Sequence, residues 1–251
     1  MKALVFNATS VGSAAVCAVL MAGQSCLAAS YSSSVVVDSS GDSVVIVNGQ
    51  VVSGGHSTVT ASGPARSEER KMPAYSGITI EAPVRMSYTV GERSTLKVTA
   101  PSDVLPLLST TLEGGRLVVK LNGSVVMNQP ILIEATGSSG LESVNLVGAG
   151  DFNASGLAGR TLSIEVSGSG NVTASGRSGR VEARISGSGE VDVSALQANA
   201  VSVEVSGSGN VKAYASQAAQ VALLGSGDVR VYGKPAQRSV SRVGSGQVSF
   251  D

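Results

Sequence analysis

Tryptophan is absent from this 251-residue chain, and its aromatic residues are only three Phe and five Tyr. That scarcity excludes a thick core of interlocked rings. The apolar content is carried mainly by Val and Ala, which suits a thin stacked core of β-branched and small side chains. A charge excess of one sign is missing too, since 18 Lys and Arg face 18 Asp and Glu. No basic field therefore points to nucleic acid or an anionic membrane, and stacking platforms for bases or sugars are scarce. The one histidine, His56, cannot anchor a Ser-His-Asp arrangement, and no Cys or His set with metal-ligand spacing exists. Neither a catalytic residue, a cofactor site nor a metal site is expected.

Cysteine occurs only as Cys17 and Cys26, both near the N-terminus. Lys2 precedes an apolar run from about Val11 to Ala22, and Cys26-Leu27-Ala28 or Leu27-Ala28-Ala29 ends in small residues. This order of a positive end, an apolar stretch and a small-residue site reads as a signal peptide over residues 1–28. The apolar run is too short to span a bilayer, and no run of 18 apolar residues follows, so no transmembrane segment is expected in the mature chain. A mature chain without cysteine enters an oxidising compartment without wrong pairing, which fits the periplasm or surface of a Gram-negative bacterium. The rival is a lipoprotein anchored through Cys26. A lipidation signal resembles Leu-x-x-Cys with small residues between, and Gly23-Gln24-Ser25-Cys26 matches it poorly.

Glycine, by contrast, is abundant at 31 residues, and it is periodic. Gly148-Ala149-Gly150 is followed by Gly168-Ser169-Gly170, Gly187-Ser188-Gly189, Gly207-Ser208-Gly209, Gly225-Ser226-Gly227 and Gly244-Ser245-Gly246, at spacings of 20, 19, 20, 18 and 19. Alternating segments such as Ile164-Glu165-Val166 and Val172-Thr173-Ala174 flank each pair, the signature of strands with one buried face. Two short strands, a glycine corner and a turn make one coil of about 19 residues, and such coils stack about 4.8 Å apart. The expected fold is all-β, a right-handed parallel β-helix, or solenoid, with Gly-x-Gly corners. Glycine is needed there because the chain bends sharply with no room for a Cβ against the next coil.

The inward columns follow from the spacing. Phe152, Val172, Val191, Val211, Val229 and Val248 form one, and Ala154, Ala174, Val193, Ala213, Val231 and Phe250 form the next. No single coil could hide such a column, so several must stack before any is stable. The residues after the glycine pairs form an outward polar column: Asp151, Asn171, Glu190, Asn210, Asp228 and Gln247. Charged and neutral side chains alternate along it, which keeps carboxylates about two strand spacings apart.

Upstream, Ile78–Ile80, Met86–Val90, Leu96–Val98, Leu117–Leu121 and Ile131–Ile133 read as strands between Gly, Pro and Asn turns. They are expected to form the first, less regular coils, giving roughly nine coils over residues 73–251. Residues 29–55 are Ser, Val and Gly-rich, with Val35–Val37 and Val44–Val47 around a polar turn, a possible hairpin. Residues 56–72, with the charged run Arg66–Lys71, read as a flexible linker. The β-helix domain then covers 73–251, its regular repeats 141–251.

Three chemical readings compete with the structural one. A dinucleotide loop needs a third glycine and a following helix, whereas a strand follows here, with Thr173 or Asp192 in that place. Calcium-binding β-rolls repeat every nine residues with an Asp at each turn; this period is doubled and only Asp151 and Asp228 are Asp in the column. A polysaccharide-cleaving β-helix would need converging carboxylates, and Glu165, Glu182, Arg184 and Glu204 do project outward from neighbouring coils. Their plainer reading is a solvated face of cross-strand charge pairs. Tyr214 and Tyr232, one coil apart in comparable turns, are the best binding candidates.

With the Tyr75-Ser76-Gly77-Ile78-Thr79-Ile80 and Leu117-Val118-Val119-Lys120-Leu121 strands ahead of it, the Gly-Ser-Gly-(Asp/Asn) series resembles the head GIN domain of auto-transporter adhesins over about residues 73–251. The resemblance implies a right-handed β-helix akin to pectin-lyase folds but without their catalytic residues, and a role in adhesion as a monomer or homo-oligomer. A C-terminal membrane barrel is not expected after Gln247–Asp251, so self-anchored display is not expected either. The resulting expectation is an exported, non-enzymatic adhesion or scaffolding β-helix whose partner is an envelope or surface glycan or protein, the alternative being a carbohydrate-active β-helix.

Overall fold

The structure is a computed structural model that describes residues 59–126, 129–137 and 140–251, together with strands β1 (Ala14–Ala15), β2 (Ser32–Val37), β3 (Ser43–Val47) and β4 (Gln50–Gly54). Two compact units divide the chain, Met1–Val59 and Thr60–Asp251. In the first, β2 and β3 pair antiparallel with Val37 opposite Ser43, β4 adds beside β3, and β1 pairs with β2. Apart from Ala14–Ala15, the expected signal peptide and Cys26 fall outside the described residues, as does His56.

Next along the chain come β5 (Val59–Thr60), β6 (Ala65–Arg70), β7 (Gly77–Glu81), β8 (Val84–Val90) and β9 (Thr95–Pro101). A 3-10 turn at Leu105–Leu107 leads to β10 (Leu108–Glu113), β11 (Arg116–Leu121), β12 (Val125–Val126) and β13 (Ile131–Gly137). The repeats follow as β14 (Ser143–Gly148), β15 (Asp151–Gly168), β16 (Asn171–Gly187), β17 (Glu190–Gly207), β18 (Asn210–Gly225), β19 (Asp228–Tyr232), β20 (Gln237–Val243) and β21 (Gln247–Phe250). Each long strand stays within one coil and bends from one sheet into the other, so its first half stacks in one sheet and its second half in the other. The pairing is parallel throughout, with Gly168 beside Gly187 and Gly187 beside Gly207. The unit is a β-solenoid of about five turns.

Before the repeats the layers depart from chain order. Strand β7 lies parallel between β11 and β14, and β8 lies parallel between β13 and β15. After β6 the chain therefore passes through β7 and β8 one layer inside the stack, builds the rest of the end, and crosses back over that layer. Antiparallel β10 closes one sheet against β11, while antiparallel β9 and then β6 close the other against β13. Two parallel layers and three antiparallel strands thus stand where a simple run of early coils was expected, and the solenoid is shorter than nine coils. Alternation in sequence fixes which face of a strand is buried, but parallel and antiparallel neighbours satisfy it equally.

The charged run is likewise not a linker where the structure describes it. Ala65–Arg70 forms the outermost strand, paired with β9 from Arg70 opposite Leu96 to Ala65 opposite Pro101. Its charges are compatible with that place because an outermost strand meets water, and charged side chains there discourage further strand addition. Arg70 also turns inward along the edge, donating from Nη1 to Leu108 O at 2.8 Å and Thr110 Oγ1 at 3.0 Å.

Inside the coils the alternation resolves into aligned buried columns. Val172, Val191 and Val211 are all but inaccessible, as are Ile164, Ala183, Val203 and Val221 on the facing sheet. Larger side chains, including Tyr88, Phe152, Met86, Ile131 and Ile133, gather towards the antiparallel end. Each buried Val contributes about 1.5–3 kcal/mol relative to exposure, and the many thin layers together form one core.

Candidate functional site

The two glycines of each corner do different work. The first lies at φ between 101° and 134° in all six corners, Gly148, Gly168, Gly187, Gly207, Gly225 and Gly244, a region L side chains rarely adopt. The second, at Gly150, Gly170, Gly189, Gly209, Gly227 and Gly246, is buried beneath the neighbouring coil. A Cβ on Gly170 would lie 2.6 Å from Gly150 O, closer than packing allows. The corners are filled by backbone, and their amides are spent on the preceding coil: Ser188 N donates to Gly168 O at 2.8 Å and Asn210 N to Gly189 O at 3.0 Å.

The polar column runs in register beside these corners, Asp151 next to Asn171 and Asn171 next to Glu190. It forms a ladder of hydrogen bonds. Asn171 Nδ2 donates to Asp151 Oδ1 at 2.9 Å, Asp228 N donates to Asn210 Oδ1 at 2.9 Å, and Gln247 N donates to Asp228 Oδ1 at 3.1 Å. Cations complete it: Lys212 Nζ donates to Glu190 Oε1 at 2.8 Å and Arg85 lies 3.5 Å from Asp151. The Glu190 hydrogen bond holds the Lys212 ammonium above the usual lysine range. Among the described residues, no cluster of three or more His, Cys, Asp or Glu could hold a metal ion.

On the other sheet Glu165, Arg184 and Glu204 are neighbours in register on successive strands. Arg184 lies 3.4 Å from Glu204 and 3.9 Å from Glu182. The guanidinium therefore stands between the two carboxylates that a cleavage reaction would have to bring together.

Tyr214 and Tyr232 are brought side by side on β18 and β19, yet their rings do different things. Tyr232 stands two residues from Arg230 on the same face of β19, and its interaction with that guanidinium helps hold Arg230 above the usual arginine range. Tyr214 lies against Gly233, where an added Cβ would come 3.0 Å from the ring, and it also borders a groove of about 600 Å³. That groove crosses the turns between coils and is lined by Arg177, Ser178, Gln197, Asn199, Tyr214 and Ser216. Arg177 and Gln197 are in register, one coil apart. Ser178 and Ser216 turn their hydroxyls to Arg180 O and Ala198 O. The side chains of Arg177, Gln197 and Asn199 are exposed and make no hydrogen bond or ion pair among the described residues. Sequence reasoning singled out Tyr214 but missed these three, because the turn segments vary in length and break the column alignment.

Residues 74–235 match the family described as "Putative auto-transporter adhesin, head GIN domain". No curated protein matches the sequence. Among solved structures, a "putative adhesin" from Bacteroides fragilis NCTC 9343 is similar at TM-score 0.64 and 18% identity, covering 77% of this chain and 100% of that one. A second, described as a "putative adhesin" from Parabacteroides merdae ATCC 43184, has TM-score 0.52 at 18% identity and covers 77% and 99%. A "putative lipid binding protein" from Parabacteroides distasonis ATCC 8503 has TM-score 0.50 at 21% identity, covering 77% and 99%. At these identities the likeness is one of fold.

Proposed function

Because the chain belongs to the head GIN domain family of auto-transporter adhesins, we propose that it is an exported, non-enzymatic envelope protein whose solenoid carries an adhesive groove for an acidic glycan. The observation that carries this reading is the groove at Arg177, Gln197, Asn199 and Tyr214, where polar side chains converge without partners of their own. A guanidinium presents a planar fork suited to a carboxylate. Amide side chains donate and accept, as neighbouring sugar hydroxyls require. The Tyr214 ring adds an apolar face with a polar tip. On the other sheet the Arg184 guanidinium is already engaged by Glu204 and Glu182, so it is not available to a ligand in the same way. Export to the periplasm or cell surface is supported by Lys2, the apolar run after it and the lack of cysteine beyond Cys26.

Titration of the full chain with uronic-acid oligosaccharides and matched neutral ones tests the groove. Acidic sugars should bind more tightly, and R177A and Y214A should each weaken binding about tenfold, or about 1.4 kcal/mol. Equal affinity for both sugar sets, or binding untouched by both substitutions, would defeat the reading. Fractionation of native cells tests export, and recovery from the cytoplasm alone would count against it.

A further inference from the structure

The two ends of the solenoid are finished differently. One is closed by the antiparallel strands β6, β9 and β10. At the other, among the described residues, β20 and β21 each pair on one side only, with β18 and β19. An outer row of strand N–H and C=O groups in parallel register is a template for another strand or another coil. Nothing in the backbone of this last coil prevents that.

Its side chains do. The register sets Arg238 beside Ala219 and Arg242 beside Leu223. The first belongs to the inward column Leu162, Val181, Val201, Ala219, and the second to Val166, Ile185, Val205, Leu223, all of them buried. Two arginines thus stand where every earlier repeat coil has an apolar residue, with Val240 between them, 48% exposed. Both fold across the open end. The Arg238 guanidinium lies 4.8 Å from the centre of the Phe250 ring, which belongs to an inward column of the facing sheet. Its Nε donates to Pro235 O at 2.8 Å, and Arg242 Nη1 donates to Gly246 O at 2.9 Å. One arginine is thereby tied to the turn before β20 and the other to the corner after it.

We propose that this last coil is a built-in terminator, in which Arg238 and Arg242 close the solenoid against stacking by a second copy of the chain. A copy seated on β20 and β21 through its own last coil, which has no acidic side chain from Gln237 to Phe250, would have to strip water from the guanidinium groups with no carboxylate opposite them. Burying an unpaired charge costs far more than the added strand pairing returns. The Arg238 guanidinium also covers the Phe250 ring, so the end exposes less apolar surface there than the column position would otherwise leave bare.

The test compares the full chain with R238V/R242V, which restores the apolar columns, by sedimentation velocity and backbone hydrogen exchange. The double variant should sediment as two or more chains where the wild type sediments as one, with new protection confined to Gln237–Val243 and Gln247–Phe250. R238K/R242K keeps the charge and should sediment like the wild type. If circular dichroism shows the double variant unfolded, R242V alone, which leaves Arg238 over Phe250, must still associate more than the wild type. The proposal is overturned by a folded variant that associates no more than the wild type, by association without protection of those strands, or by a lysine pair that associates as readily as valine. A wild-type chain whose β20 and β21 become protected with rising concentration would overturn it equally.

Discussion

The side-chain amide of Asn171 donates to the Asp151 carboxylate of the preceding coil at 2.9 Å. Its other neighbour in the column is Glu190, so Asn171 separates two acids while hydrogen-bonding one of them. Asn210 plays a different part between Glu190 and Asp228, because its oxygen accepts the Asp228 N–H. An aspartate could keep that acceptor role but not the donor role of Asn171. N171D should therefore destabilise more than N210D. Like charges on adjacent strands and a lost hydrogen bond come to about 1 kcal/mol at low salt, or about 2–4 °C in Tm for a chain of this size. Calorimetry at low and high salt checks it: the loss should shrink as salt screens the carboxylates. Equal melting of both variants and wild type would remove any role for the alternation.

The second corner glycine makes a sharper contrast. On Gly170 an added methyl would meet Gly150 O and Leu146 Cδ2, each at 2.6 Å, and the first of these is backbone. G170A should cost about 2 kcal/mol or more through forced separation of the two coils. On Gly159, in the turn at the other side of the coil, the nearest atom is Leu141 O at 4.0 Å. G159A should stay within about 0.5 kcal/mol of wild type. Urea unfolding midpoints distinguish the two, and similar losses at both sites would mean that the corner is not packed as described.

What was legible in the sequence follows the repeat. The glycine spacing and the valine columns specify a coil whose every layer makes the same contacts, so the period alone carries register, burial and corner. The antiparallel end has no such redundancy. Ile78, Met86, Leu96 and Leu117 alternate as well as any repeat strand, yet the partner of each is chosen by long-range closure, and the crossing of β14 over β7 leaves no local trace. Arg66, Glu68 and Glu69 resemble a solvated linker because an outermost strand sees nearly the same water. The groove was half legible: Tyr214 stands out in a chain poor in rings, whereas Arg177 and Asn199 acquire meaning only when three turns are stacked. The terminator was open to view, since Arg238 and Arg242 stand six and two residues before Gly244, where Leu162 and Val166 stand before Gly168.

Arg70 offers a direct measure of whether the charged run is a strand. Beyond its bonds to Leu108 and Thr110, its Nη2 lies 3.3 Å from Leu105 O and 3.3 Å from Glu68 Oε2. A hydrogen-bonded charged group of this kind contributes about 1.5–3 kcal/mol. R70A should lower stability within that range and speed amide exchange along β6 in particular. R70K should recover only part of it, because an ammonium cannot bridge Leu108 O and Leu105 O as a planar fork does. Unchanged exchange along Ala65–Arg70 in R70A would show that the side chain does not hold the edge.

Asp103 fastens the chain leading into that edge, and it does so in a pH-dependent way. Its Oδ2 accepts the backbone N–H of Ser62 at 2.8 Å and of Gly63 at 3.1 Å. The Ser62 bond, followed by the others, holds the carboxyl below the usual aspartate range. A carboxyl depressed in the folded state makes the unfolded chain bind more protons, so its contribution is present above the ordinary aspartate pKa and disappears as pH falls through the lowered value. Residues 61–64 should therefore stay docked at mildly acidic pH and loosen only in stronger acid. In an NMR titration the Ser62 and Gly63 amides should move together at one midpoint below the usual carboxylate range, and D103N should abolish that step. A midpoint at or above the ordinary aspartate value, or a step that survives D103N, would assign the fastening to another group.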